Sequence, residues 1–246
     1  MRLNSMTTSY ALKPEAPSSV RDILASYDAL TQQLLFARGI EPKEAAERFF
    51  ERSYDTGLHD PFLLNDMGAA VARIIEAMDA GERIAIYSDY DCDGIPGGVL
   101  MHDFFTAIGY SNFENYIPHR HEEGYGVSTR AVDTLASHGV TLTITVDCGI
   151  TDTEEVVHAK SVGMDMIVTD HHEPGPELPS AVAVLNPKRA DTTYPFAGLC
   201  GTGVAFKLVS ALIATLSLRG NFVWPAGKEK WFLDVVGLAT IADRVP

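Results

Sequence analysis

The sequence has few cysteines and no long uninterrupted apolar run. Its three cysteines, Cys92, Cys148 and Cys200, are far apart and form no CxxC pair, so neither a disulfide framework nor a thiolate zinc site is indicated. No stretch approaches the roughly 18 uninterrupted apolar residues of a membrane-spanning helix, and the N-terminus lacks the apolar centre of a signal peptide. We therefore expect reduced thiols, a cytoplasmic location and no membrane partner.

Basic residues are also scarce. The 246 residues include 19 Lys and Arg against 33 Asp and Glu, which gives a formal net charge of -14. Such a balance disfavours a protein whose whole surface wraps a polyanion. The excess of acidic residues is compatible with nucleic-acid binding if these side chains gather in a site where divalent cations neutralise them.

The hydrophobic pattern changes at about residue 80. Residues 1–17 show no apolar period and predict a flexible lead-in, and residues 18–80 predict a helical N-terminal arm with helices over 20–38, 45–50 and 66–78. Over 81–246, short apolar runs alternate with amphipathic segments, which is typical of βαβ units. The predicted fold class is α/β, with a parallel five-stranded sheet flanked by helices. The strands are predicted at 83–88, 113–117, 141–146, 164–169 and 181–185, and the helices at 97–109, 128–139, 151–163, 203–218 and 229–242.

Three predicted strands run directly into acidic residues. The first is followed by Asp89, Asp91 and Asp93, the next by Asp147, and another by Asp170, His171 and His172. Because the carboxyl ends of parallel strands lie along one edge of a sheet, we expect these side chains to meet. Carboxylates this close repel one another unless a cation intervenes. Carboxylate and imidazole without thiolate suit Mn²⁺ or Mg²⁺, and a set this large fits two ions, with Asp147 as the candidate bridge.

The two adjacent histidines point to opposite sides of an extended segment and should have different roles. We assign His171 to the metal and His172 to a substrate phosphate. Asp170 either orients an imidazole from behind the ligands or is itself a ligand. Asp89 either joins the ligands or supports its loop, and Arg120 either contacts an anion or forms a surface ion pair.

DYDCDG, VDCG and VTDHH, in this order, resemble the signature of the DHH phosphoesterase family. Further segments resemble the branch of that family that comprises single-stranded-DNA-specific exonucleases, and the resemblance extends from about residue 30 to the end. These segments are LHDPFLLNDM (58–67), YIPHRHEEGYGVS (116–128), LNPKRADTTYPFAGL (185–199), GTGVAFKL (201–208) and GLATIADRVP (237–246). The resemblance implies two divalent cations, Mn²⁺ or Mg²⁺, and 5′ to 3′ release of mononucleotides from single-stranded DNA.

Carried over by motif, the family's metal ligands fall on Asp91, Asp93, Asp147 as bridge, His171 and Asp243, with Asp89 joining them. Many relatives in the wider family have a histidine where this chain has Tyr87. His172 and Arg120 would stabilise charge on the phosphoryl oxygens. Gly201 and Gly203 either offer open N–H groups to a phosphate or simply begin a helix, and Lys207 adds local positive charge.

Relatives in this branch continue into a second catalytic domain and an OB-fold, whereas this sequence stops three residues after Asp243. We therefore expect a fragment or a short form with weak turnover, and we expect DNA repair proteins, such as single-strand binding protein, as partners. Two alternatives stay open. One is a hydrolase of small phosphoesters such as short oligonucleotides or cyclic dinucleotides, and the other is an inactive scaffold.

Overall fold

The computed structural model describes residues 11–51, 53–220 and 222–245. Tertiary contacts divide the chain into two compact units, Met1–Leu58 and His59–Pro246. Residues 1–10 of the predicted lead-in lie outside the described residues. Residues 11–17 form no regular secondary structure, yet Ala16 is buried and its N–H donates to the Gln33 side chain at 2.8 Å.

The first unit is helical. Its helices are α1 (Ser18–Ile23), α2 (Ala29–Phe36), α3 (Lys43–Phe50) and α4 (Tyr54–Gly57), around a small core of Val20, Leu24, Leu35 and Ala46. The single helix expected over 20–38 is wrong, because the chain breaks after α1. Asp28 begins a new helix by accepting hydrogen bonds from the N–H groups of Leu30 and Thr31, which is the usual action of an N-cap residue.

The second unit contains one parallel sheet with helices on both faces. The strands are β1 (Arg83–Ser88), β2 (Phe113–Tyr116), β3 (Val140–Val146), β4 (Asp165–Thr169) and β5 (Ala183–Leu185). Their order is β2-β1-β3-β4-β5, and every pair is parallel, so the predicted fold class is confirmed. The helices are α5 (Met67–Ala80), α6 (Gly94–Ala107), α7 (Thr129–Ser137), α8 (Thr153–Ser161), α9 (Gly201–Leu218) and α10 (Leu233–Ala242), with short 3-10 turns at Pro61–Leu63 and Lys228–Phe232.

The side chains of β1 point alternately to the two faces of the sheet, and a layer of helices covers each face. Ala85 and Tyr87 pack into the cluster formed with α7 and α8. Ser88 points to the other face, where a Cβ built on Gly98 of α6 would meet its Oγ at 2.7 Å. Successive strand residues point to opposite faces, and both faces are buried, which explains why β1 is apolar from Ile84 to Ile86.

Helix α5 belongs to the second unit, although the sequence pattern placed the boundary at residues 80/81. Its apolar stripe, which includes Met67, Ala70 and Ile74, is buried, and the helix packs against α9 and β5. The boundary between the two units in the structure therefore falls after Leu58. The sequence pattern gives a different boundary because helical periodicity does not show which neighbouring element a helix packs against.

Helix α9 is long and apolar enough to cross a membrane by length and composition, with a mean hydropathy of 1.6 over 18 residues. However, 61% of it is buried inside the protein, where it packs against α5, α6 and α10 and contacts β3 and β4. A helix that is apolar on all sides is typical of a protein core, and α9 is the central helix of its layer.

Candidate metal centre

The acidic motifs meet at the carboxyl edge of the sheet because β1, β3 and β4 are neighbours in it. His171 follows β4, and its Nε2 lies 3.2 Å from Asp147 Oδ1 after β3 and 3.6 Å from Asp93 Oδ2 after β1. The fourth contributor comes from the end of α10, where Asp243 Oδ2 lies 3.5 Å from the same nitrogen. The structure therefore brings together the motifs that the sequence predicted to converge.

Potential ligand atoms form three overlapping groups, each within 4.8 Å. The groups are Asp89 with Asp91 and Asp147, Asp93 with His171 and Asp243, and Asp147 with His171 and His172. Asp147 and His171 each belong to two groups. The arrangement has the donors for two cations, with one carboxylate between them.

Several of the donor atoms lack protein partners. Within the described part of the chain, Asp89 Oδ1, Asp147 Oδ1 and both ring nitrogens of His171 are buried without a hydrogen bond. A buried polar atom without a partner costs about 1–3 kcal/mol, and more if it is charged. Several such atoms around one point, all oxygen or imidazole nitrogen, fit hard divalent cations such as Mn²⁺ or Mg²⁺.

Without a cation, the surroundings of Asp147 and Asp89 favour the protonated form of each carboxyl. Burial, reinforced by the charges of Asp93, Asp91, Asp170 and Asp89, raises the pKa of Asp147 to about 11. Burial also raises the pKa of Asp89, with a further contribution from Asp91. Asp147 has a left-handed backbone, at a φ of 65°, which aspartate tolerates better than most residues.

Asp170 is engaged in a different way from the other acids. Its carboxylate accepts hydrogen bonds from the N–H groups of Ile150, His171 and His172 and lies 2.8 Å from His172 Nδ1. Burial raises the pKa of Asp170, but the bonds from His172 and the backbone outweigh burial, so the net pKa lies below its ordinary value. These contacts place Asp170 behind the donor groups, where it orients the His172 ring.

Tyr125, which sequence reasoning did not single out, completes the surroundings of His172. Its hydroxyl lies 3.0 Å from His172 Nδ1 and donates to the Asp147 carbonyl at 3.3 Å. The two rings meet edge to face at 5.6 Å. The only sequence signal was the position of Tyr125 inside the EEGYG segment.

The first motif also anchors two helices. Asp91 Oδ1 accepts hydrogen bonds from the N–H groups of Asp93 and Gly94 at the start of α6. Asp93 accepts from the N–H groups of Gly201 and Thr202, at 2.6 and 2.7 Å, at the start of α9. Both carboxylates are therefore held in place by backbone donors.

Three predicted substrate contacts do not stand as the sequence suggested. The N–H of Gly201 donates to Asp93 Oδ2, and that of Gly203 donates to Cys200 Sγ, so neither is open to a phosphate. Lys207 is buried, and its ammonium donates to the carbonyl of His59 at 2.8 Å. The sequence pattern placed the two glycines at a helix start and gave Lys207 a role as a local positive charge, but it could not show that their donors are already used.

Arg120 is exposed, and its guanidinium lies over the Tyr90 ring, 4.1 Å from the centroid. Burial raises the pKa of Asp89, and the positive charge of Arg120 partly opposes that rise. Arg120 therefore lies close enough to the donor groups to act on one of them. Tyr87, at the position of the wider family's histidine, instead donates from its hydroxyl to the Gly126 carbonyl and stacks on Tyr116 in the core.

Comparison with known proteins agrees with this geometry. Residues 83–236 match the model of the DHH family, N-terminal domain. The chain belongs to the DHH family. The match spans the sheet from β1 to β5, and the triplet of the family name is Asp170, His171 and His172.

The proteins that resemble the chain include single-stranded-DNA-specific exonucleases. It is 41% identical to RecJ of Bacillus subtilis over 88% of its length and 36% identical to RecJ of Escherichia coli over 92%. It spans 26% and 39% of those two proteins. Among solved structures, it resembles an exonuclease RecJ bound to manganese (TM-score 0.65, 35% identity, 74% of this chain and 44% of that one). It also resembles RecJ from Thermus thermophilus in complex with Mn²⁺ (TM-score 0.72, 28% identity, 96% and 32%).

Proposed function

We propose that this chain is the catalytic part of a metal-dependent exonuclease that hydrolyses single-stranded DNA in the 5′ to 3′ direction to 5′-mononucleotides. The observation that carries the proposal is the cluster of buried, unpartnered donor atoms on Asp89, Asp147 and His171. The likeness to single-stranded-DNA-specific exonucleases, with 41% identity in one case, supports the choice of substrate. Mn²⁺ is the proposed metal, with Mg²⁺ as a substitute.

The donor set divides naturally between two cations. Asp89 and Asp91 would hold one ion, and Asp93, His171 and Asp243 the other, with Asp147 shared. Bound divalent ions activate water near neutral pH and neutralise the negative charge of a phosphoryl group. The cations also resolve the mismatch between a phosphodiester and a cleft lined by carboxylates, because like charges would repel the substrate.

The remaining residues act on the phosphate directly. His172, oriented by Asp170 and Tyr125, would donate to a phosphoryl oxygen from its other nitrogen. The hydrogen bond with Asp170 raises the pKa of His172 above the ordinary value and outweighs burial, which lowers it, so the charged, donating form is favoured. Arg120 would bind phosphate with the planar donor pair that makes guanidinium suitable for this task.

The proposal includes a cytoplasmic location and DNA repair partners such as single-strand binding protein. The three cysteines are free in the structure, Cys92 on the surface and Cys148 and Cys200 buried, which is compatible with a reducing compartment.

The test is a nuclease assay with the 246-residue chain. A 5′-phosphorylated, 3′-labelled single strand is incubated with Mn²⁺, and we expect slow, stepwise shortening of the labelled strand, which Asp147→Ala abolishes. Asp103→Asn, on the exposed side of α6, is the control for an unrelated charge change. Hydrolysis of a dinucleotide but not of the long strand would favour a small-phosphoester hydrolase, and absence of turnover with either substrate would favour a scaffold.

A further inference from the structure

The start of α9 lies against two of the proposed metal ligands rather than against open solvent. Gly201 and Thr202, its first two residues, are buried. They lie more than a hundred positions from Asp93 in the sequence, yet both donate hydrogen bonds to it. The helix start is therefore part of the metal centre's support.

Three hydrogen bonds join Asp93 to these two residues. The N–H of Gly201 donates to Oδ2 at 2.6 Å, and that of Thr202 donates to Oδ1 at 2.7 Å. The Thr202 hydroxyl donates to the Asp93 backbone carbonyl at 2.6 Å. Each carboxylate oxygen has about two acceptor sites, so this clamp leaves one on each oxygen, and Oδ2 still lies 3.6 Å from His171 Nε2.

Asp147 is held by packing against the same helix start. A Cβ built on Gly201 would lie 2.5 Å from both Cβ and Oδ1 of Asp147, a separation that real side chains do not tolerate. A Cβ built on Gly203, two residues later, would meet nothing closer than 3.5 Å. Gly201 is thus required for the close approach of α9 to Asp147, whereas Gly203 is not.

We infer that Gly201 and Thr202 are positioning residues that set the geometry of Asp93 and Asp147 and thereby the affinity of the centre for divalent cations. The inference rests on the proposed function, since it needs those carboxylates to bind metal. Residues that orient metal ligands typically change metal affinity by about 10–100-fold when replaced. Because Asp93 and Asp147 belong to different donor groups, one helix start controls both halves of the site.

The experiment is a manganese titration of the full chain, followed by the electron paramagnetic resonance signal of free Mn²⁺. We expect Gly201→Ala to weaken binding by about 10–100-fold, because its new methyl displaces Asp147, while Gly203→Ala binds as the wild type does. Thermal melts in EDTA establish that each variant is folded.

Thr202 provides a second test that does not depend on whether Gly201→Ala folds. Thr202→Val keeps the shape and loses the hydroxyl bond to Asp93, so its affinity should fall by about 10-fold, whereas Thr202→Ser should restore it. Thr215→Val, the same change near the far end of α9, should leave binding unchanged. Folded Gly201→Ala and Thr202→Val variants with wild-type affinity would overturn the inference. A wild-type chain that takes up no manganese would overturn it together with the proposed metal centre.

Discussion

Neutralising Asp147 should stabilise the metal-free protein while it abolishes metal binding. The ordinary pKa of this carboxyl is 3.8, and in the folded, metal-free chain it rises to about 11. At pH 7 the group is therefore ionised in the unfolded chain but protonated in the folded one. Taking up a proton about 3 pH units above the unfolded pKa costs about 4 kcal/mol, at about 1.4 kcal/mol per unit. Asp147→Asn removes this cost.

The sign of the pH dependence follows from the same shift. Because the pKa of Asp147 is raised in the folded chain, its contribution to stability is complete below about pH 4 and is lost as pH rises towards 11. At pH 7 in EDTA, we expect Asp147→Asn to melt about 8–16 °C above the wild type, at about 2–4 °C per kcal/mol for a chain of this size. Between about pH 5 and 9, its stability should also depend less steeply on pH than that of the wild type.

Manganese should narrow the difference in stability between the two proteins. At a Mn²⁺ concentration about 100 times the dissociation constant, binding adds about 2.7 kcal/mol to the free energy of unfolding of the wild type. The variant should gain little. Calorimetric melts with EDTA or Mn²⁺ measure both effects, and Asp103→Asn should behave as the wild type throughout. The reasoning would be refuted by an Asp147→Asn variant that, in EDTA, is no more stable than the wild type.

Three further predictions test other parts of the site and core. Tyr125→Phe, which removes the hydroxyl beside His172, should lower kcat on single-stranded DNA about 5-fold, with KM unchanged in steady-state assays. This factor corresponds to about 1 kcal/mol, the net contribution of one hydrogen bond. Arg120→Gln should raise KM about 10-fold and flatten the salt dependence of turnover, which a salt titration measures. Burial lowers the pKa of Lys207 to about 8 from 10.5, so the wild type should gain stability as pH rises from 8 to 10.5. Lys207→Met should lack that gain and be up to about 3 kcal/mol more stable at pH 7 by urea denaturation.

The parallel sheet and its acidic edge could be predicted because each depends on local pattern. β1 and β3 are short β-rich runs without acidic residues and are followed at once by aspartates. Because β1, β3 and β4 are neighbours in the sheet, those aspartates lie together. No tertiary information beyond parallel pairing was needed for that step.

Other features depend on contacts that no sequence spacing encodes. Asp243 reaches the site from a helix that lies far beyond Asp147 in the chain, and only the family resemblance pointed to it. The sequence pattern predicts that the N–H of Gly201 can donate to a phosphate, yet this N–H already donates to Asp93. Lys207 read as a surface cation, although the packing of α9 buries it against His59. In each case, the deciding partner is distant in sequence.

The long reach of the Asp93 contacts also has a consequence for how the protein is made. The proposed metal ligands of the protein extend from Asp89 to Asp243, and Asp93 is fixed by residues at the start of α9. At about 5–20 residues per second, a ribosome needs roughly 8–30 s to add the last of these ligands after the first. A nascent chain therefore carries an incomplete set of carboxylates throughout that interval, and the full set of proposed metal ligands exists only once Asp243 has been added.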